Sequence, residues 1–332
     1  MMDLSTTYLG LDLKNPIIAG ASPLTASLES IKRLEEHGAA AVVMHSLFEE
    51  QINHEIHELD HFLFTGSDSY AESLDYFPDL DSYDNLESED YLDEISKIKE
   101  SVGIPVIASL NGVSSGGWIK YAKKLEQAGA DALELNITYI PTDTGLGGRD
   151  VEQLYLDDLK AVKSHTALPV SIKMNPYFSA PAAMAKAFDD AGAAGLVLFD
   201  RPIHVDIDLE SLNATHGTSY TASHDLSESL RWCGILFDKV NASLCASTGV
   251  HTHYDIIKAV MCGADATAMV SALLQNGEAY IATVLAQLSL WMEEREYASL
   301  SQMKGSVSLH HTSNPAAYQR SGYMKALQAY RK

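Results

Sequence analysis

Apolar residues along the chain gather into eight short runs, each followed by a stretch with helical spacing of apolar positions. The runs are Ile17–Ala21, Ala41–Met44, Val106–Leu110, Ala132–Ile137, Val170–Met174, Leu196–Phe199, Leu244–Thr248 and Ala266–Val270. Their near-continuous apolar character is that of strands buried on both faces, which occur in parallel sheets covered by helices. Gly38-Ala39, Gly129-Ala130, Gly192-Ala193 and Gly263-Ala264 precede runs two, four, six and eight. There a helix must end in the left-handed conformation that glycine adopts without a Cβ clash. Pro16, Pro105 and Pro169 stand at the entrances of runs one, three and five, where a missing N–H costs least. Eight strand–helix units predict an α/β fold, a closed (β/α)8 TIM barrel forming one domain over 1–332, in preference to an open doubly wound sheet.

Three segments exceed a minimal barrel. Leu47 to Ser96 follows the second run, lies in a stretch without Lys or Arg between Arg33 and Lys97, and carries Tyr70, Tyr76, Tyr83 and Tyr91. Pro202 to Ser223 follows the sixth run and opens with the alternating Ile203-His204-Val205-Asp206-Ile207, which predicts a small added strand. The tail from Ser299 is polar and ends in a basic, helix-like run with Arg320, Lys325, Arg331 and Lys332. The first two leave the C-terminal ends of strands, the face on which barrels carry their active sites, and are expected to be lids or substrate loops.

Composition narrows the function. A formal charge of −22 argues against a nucleic-acid or anionic-membrane surface. No apolar run approaches the roughly 20 residues of a membrane span, and the first residues lack a basic region or signal core. Cys233, Cys245 and Cys262 have no paired or metal-type spacing, as expected of buried thiols in a reducing cytoplasm. His57-Glu58-Leu59-Asp60-His61 matches the zinc-binding pattern His-Glu-x-x-His. It lies in a His- and Glu-rich stretch with no third ligand at the usual spacing, so a solvated helix is the reading adopted and no metal is expected.

Several polar residues sit where strands end. The seventh and eighth runs close on Ser247-Thr248-Gly249-Val250 and Val270-Ser271-Ala272. The loops after these strands are the usual phosphate cradle of a barrel, although ordinary turns with small residues would look the same. His251-Thr252-His253 beside the first loop suits helix capping or a phosphate contact. Lys173 interrupts the apolar strand Val170–Met174; a buried lysine needs a partner, whereas one at the strand's solvated mouth does not. Asn136 offers a donor and an acceptor at the end of the fourth run, for a ligand or for the core itself.

The run Leu133-Glu134-Leu135-Asn136-Ile137-Thr138-Tyr139 resembles the fourth-strand motif of the dihydroorotate dehydrogenase family, Glu-Leu-Asn-x-Ser-Cys-Pro-Asn or a close variant. The resemblance extends from Leu9-Gly10-Leu11 through the strand-eight loop. It implies an FMN-dependent oxidoreductase that removes a proton and a hydride from adjacent carbons of dihydroorotate in pyrimidine biosynthesis, on the family's soluble, class 1 side. It also implies a second electron acceptor, not identified by the sequence, to reoxidise the flavin. By position, Gly20, Ala21, Ser46, Asn111, Asn136, Lys173, Thr248, Gly249, Ser271 and Ala272 are the implied flavin contacts. Ser109 precedes Asn111 in the turn beside the flavin, and Lys173 would stabilise the reduced ring.

The chain departs from the family pattern on the substrate side. Tyr139 holds the position of the base, with Thr138 before it; His45-Ser46 replaces a Lys-containing pair; Asp200-Arg201 replaces an Asn-containing pair that grips substrate. These make Tyr139, Lys173 and Thr138 the candidate catalytic residues and His45, Asp200 and Arg201 the candidate substrate contacts. A phenol, with an ordinary pKa near 10, donates a proton more readily than it accepts one at neutral pH. The alternative expectation is a divergent flavoprotein acting on another small molecule, or serving as a partner subunit of a redox assembly through its acidic, tyrosine-rich insertion. A homodimer is also compatible with the sequence.

Overall fold

The computed structural model describes residues 2–52, 88–112, 117–201, 204–217, 220–319 and 322–329. The chain opens with a small antiparallel pair, β1 (Thr6–Tyr8) and β2 (Leu11–Leu13). Eight parallel strands then close a barrel: β3 (Ile17–Ala19), β4 (Ala41–Phe48), β5 (Val106–Asn111), β6 (Ala132–Asn136), β7 (Val170–Met174), β8 (Gly195–Leu198), β11 (Ser243–Ala246) and β12 (Ala266–Met269). Each coincides with one predicted run. Between β8 and β11 an antiparallel hairpin protrudes, β9 (His204–Asp208) with β10 (Asn213–Gly217). The alternation of 203–207 forecast its first strand but not its second.

Helices α1 (Leu28–Glu36), α2 (Ser88–Ser101), α3 (Tyr121–Gln127), α4 (Gly148–His165), α5 (Pro181–Asp190), α6 (Ser227–Leu236) and α7 (His253–Cys262) fill the connections; α8 (Ser271–Asn276) and α9 (Tyr280–Glu294) follow β12. Burial on both strand faces has the expected origin. On β4, Val42 and Met44 pack outward into the strand–helix core, while Ala41 and Val43 face a second cluster inside the barrel. Gly38, Gly129, Gly192 and Gly263 all have positive φ, between 90° and 119°. Pro16, Pro105 and Pro169 lack an N–H, but their carbonyls accept from Thr267, Val42 and Leu133 of the neighbouring strands.

Inside the barrel, residue character changes with height. Near the strand starts the inward residues are apolar, among them Ile107, Ala132 and Ala266. The β1–β2 hairpin closes this end. Leu9 and Gly10, both at positive φ, make its turn, and Tyr8 and Leu9 are buried in the inner cluster. A Cβ on Gly195 would lie 2.4 Å from Leu9 Cδ2, so β8 gives up a side chain to admit the hairpin. Towards the strand ends the inward residues become Ser109, Glu134, Ser171, Lys173, Asn111 and Asn136, which supply the polar groups of a site.

Cys233, Cys245 and Cys262 are free and buried, and burial raises the pKa of each thiol. Among the described residues no helix is long and apolar enough to cross a membrane. The tail beyond Ser299 contributes to the core through Leu300 and Met303, more than its polar composition suggests. Arg320, Arg331 and Lys332, the side chain of Lys325, the segment His57–His61, and Tyr70, Tyr76 and Tyr83 lie outside what is described. Tyr91 is no docking residue: it is fully buried on α2, its hydroxyl donating to the His45 carbonyl at 2.8 Å.

Asp158 on α4 is buried, and its Oδ2 finds no partner among the described residues. Burial, then the negative charge of buried Glu49 and of Asp157, push its carboxyl from an ordinary 3.8 up to about 6. A raised carboxyl binds its proton more tightly in the folded state. Its contribution to stability is therefore lost as pH rises from 3.8 through 6. Asp158→Asn removes the charge. Denaturant unfolding should show a gain of about 2 kcal/mol at pH 8 that vanishes near pH 4. An equal effect at both pH values would rule out this electrostatic origin.

Candidate active site at the mouth of the barrel

The C-terminal ends of β7, β8, β11 and β12 surround a cleft of about 130 Å³. Lys173, Asp200, Arg201, Thr248, Gly249 and Ser271 all line it, so six of the residues singled out from sequence come together. Lys173 Nζ lies 3.1 Å from Glu134 Oε1, with side chains only 17% and 6% exposed. Adjacent strands create this pair: Asn136 is the register partner of Lys173, and Glu134 is two residues below it on the same inward face of β6. Burial acts to lower the Lys173 pKa, but the carboxylates of Glu134 and Asp200 outweigh it and hold the ammonium above its usual value. Lys173 is thus a permanent cation at neutral pH, supported from below.

The loop after β11 is strained and braced. Thr248 and Gly249 both have positive φ, 62° and 94°, and a left-handed threonine is a strain that persists where surrounding structure enforces it. Thr248 Oγ1 donates to the Phe199 carbonyl at 3.0 Å. A Cβ on Gly249 would sit 2.3 Å from the backbone nitrogen of Leu226. The close approach that requires a glycine here is therefore made by the protein's own 222–226 segment. Ser271 begins α8 and Ala272 is buried beneath it. Gly20 follows β3 beside this loop, where a Cβ would lie 2.8 Å from Val270 Cγ2. Ala21 follows Gly20 and is partly buried. His251 and Thr252 direct their backbone N–H groups to Asp255 Oδ2 at 3.1 and 2.9 Å, so the start of α7 is capped from within.

The other candidates occupy the opposite side of the mouth. A register shift in β4 between Val43 and Ser46 re-aims its end, and Ser46 Oγ meets Ser109 Oγ at 2.9 Å. Asn111 pairs in register with Asn136, which is buried and accepts a hydrogen bond from Thr138 Oγ1 at 3.3 Å. Thr138 is exposed and Tyr139 partly buried against the core; the Tyr155 hydroxyl is hydrogen-bonded to the Tyr139 backbone and to Asn175. His45 packs edge-on against Tyr91 at 4.9 Å. Burial lowers its pKa, against a hydrogen bond with the Thr25 backbone, which favours a neutral imidazole.

Glu134 is a site residue to which sequence reasoning gave no role, although an acidic residue in an apolar strand beside one carrying a buried lysine is a readable signal. Thr221, which also lines the cleft, carries no such signal. Beneath the pair, Tyr8 rises through the barrel to hydrogen-bond with Ser171 and Cys245. The Tyr8 hydroxyl thus meets the polar layer from the apolar hairpin end.

A parallel barrel with a buried cation and two loops of small and hydroxylated residues at one mouth has the architecture of a (β/α)8 barrel, whose sites lie at the C-terminal ends of its strands. The sequence profile of dihydroorotate dehydrogenase matches residues 83–292, well over half of the chain. The chain belongs to the dihydroorotate dehydrogenase family. It is 29% identical over 311 residues to the dihydroorotate dehydrogenase B (NAD(+)) catalytic subunit of Thermoplasma volcanium, covering 92% of this chain and 98% of that protein. With the protein of the same name from Thermoplasma acidophilum it shares 26% identity over 311 residues, 92% and 99% of the two chains. With that from Methanocaldococcus jannaschii it shares 25% over 314 residues, 91% and 97%.

Proposed function

We propose that this chain is an FMN-dependent oxidoreductase acting on a CH–CH bond of dihydroorotate or a close analogue, with a pocket altered at Tyr139, His45 and Asp200. The buried Lys173–Glu134 pair carries this reading, because it places a fixed cation beside two anion-compatible loops. The donor set supports this cofactor. Backbone N–H groups of 248–250 and the Ser271 hydroxyl would hold the phosphate, Gly20 and Ala21 would border the ring, and Asn111, Ser46 and Asn136 would meet its polar edge. FMN, when bound, supplies the hydride acceptor. Lys173 would stabilise negative charge developing at the ring, an electrostatic role suited to a water-poor site. Tyr139 and Thr138 would exchange a proton with substrate, and Arg201 would meet a substrate carboxylate.

The relatives are named as catalytic subunits of NAD(+)-type enzymes, which supports a partner subunit that passes electrons onward. The acidic surface, with a formal charge of −22, supports a redox partner with basic docking groups.

Purified protein should carry one FMN per chain. Under anaerobic conditions dithionite should bleach the flavin band at once and dihydroorotate should bleach it slowly, since a phenol is a weak base at neutral pH. Absence of flavin overturns the cofactor. Bleaching by dithionite alone overturns dihydroorotate and leaves a flavoprotein with a different substrate or a subunit role.

A further inference from the structure

The segment after the protruding hairpin lies across both loops of the cleft, and Thr221 is the residue that touches each. Its backbone N–H donates to Ser271 Oγ at 3.2 Å, and its Oγ1 is 2.9 Å from His251 Nε2. Around it the segment is tied down repeatedly. Ser223 Oγ donates to Asp255 Oδ2 at 2.7 Å, Ala222 N donates to Asp225 Oδ2 at 2.7 Å, and Gly249 packs against the backbone of Ala222, Asp225 and Leu226. Ser271 and Thr221 both line the cleft with Thr248 and Gly249.

This arrangement has a directional consequence. A hydroxyl has one proton to give. Because Ser271 Oγ already accepts from Thr221 N–H, its own O–H remains to be donated into the cleft, where an anionic oxygen is the best acceptor. The backbone position of Thr221 therefore sets how Ser271 presents its proton, and the hydrogen bond from its side chain to His251 holds that backbone in place. We infer that Thr221 and His251 are positioning residues for the phosphate end of the bound flavin, acting through Ser271. This inference rests on the FMN reading above.

The test compares FMN with riboflavin, which lacks the phosphate, by quenching of flavin fluorescence on binding to the flavin-stripped full chain. Thr221→Val and His251→Ala each delete the same hydrogen bond while keeping the Thr221 N–H. Each should weaken FMN about three- to tenfold, the double variant no more than either alone, and riboflavin binding should be unchanged. Thr221→Ser, which keeps the hydroxyl, should restore the wild-type FMN affinity. Equal weakening of FMN and riboflavin, additive single effects, or no effect on FMN would each overturn the inference while leaving the flavin site standing. A wild-type chain that binds neither flavin overturns the cofactor reading itself, and the inference with it.

Discussion

Replacing Lys173 with Met should lower the unfolding free energy by about 3–5 kcal/mol, the cost of leaving a buried carboxylate without its cation. The reason lies in the floor of the site. Glu134 is 6% exposed and faces the lysine across two adjacent strands, with apolar inner residues and the β1–β2 hairpin beneath it. Denaturant unfolding at neutral pH measures the loss. The double variant Lys173→Met with Glu134→Gln should recover much of it, because a buried pair replaced as a unit costs far less than one broken. In any flavin-loaded fraction the midpoint potential should move negative, since the reduced ring loses its cation. A single variant within about 1 kcal/mol of wild type would show that Glu134 is solvated or otherwise paired, and the electrostatic account of the site would fall.

The second large effect is expected at Tyr139. On the function proposed above, Tyr139→Cys would put a thiol at the base position, and a positioned base contributes about 10²–10⁴-fold in rate. Stopped-flow bleaching of the flavin by dihydroorotate, with Tyr139→Phe as control, reads the outcome. Acceleration in the cysteine variant alone identifies the phenol as the limiting change. If the cysteine variant gains nothing, loss of the base is not the only change that matters. Tyr139 lies partly against the core, so the smaller cysteine also opens space; the phenylalanine control separates that steric effect from chemistry.

The barrel was legible because its signals are local and repeated. Gly38, Gly129, Gly192 and Gly263 announce helix ends by a backbone conformation, and the strand runs by burial on both faces; neither depends on distant contacts. Lys173 was legible as an anomaly, a charge where burial forbids one without a partner. What the pattern left hidden depends on register and tertiary contact. The Lys173–Glu134 pair follows only when β6 and β7 are known to be neighbours in a given register. The β1–β2 hairpin has strands of three residues each, too short for periodicity to show. Thr221 meets its partners across 30 and 50 residues of chain. Tyr91 read as part of an acidic surface because its neighbours in sequence are acidic, whereas the face of α2 that it occupies points inward. The re-aiming of His45 and Ser46 comes from the irregularity in β4, which no spacing rule reports.

The hairpin beneath the barrel has an effect on the chemistry above it. Tyr8 and Leu9 fill the lower lumen, so the 17% exposure left to Lys173 opens towards the mouth that it lines. A ligand seated there strips away the lysine's remaining hydration and lowers the local dielectric constant, which strengthens every charge interaction within reach. The ammonium is then shared between a carboxylate fixed below and whatever negative charge arrives from above. Filling the pocket becomes the event that switches the cation from solvent to ligand.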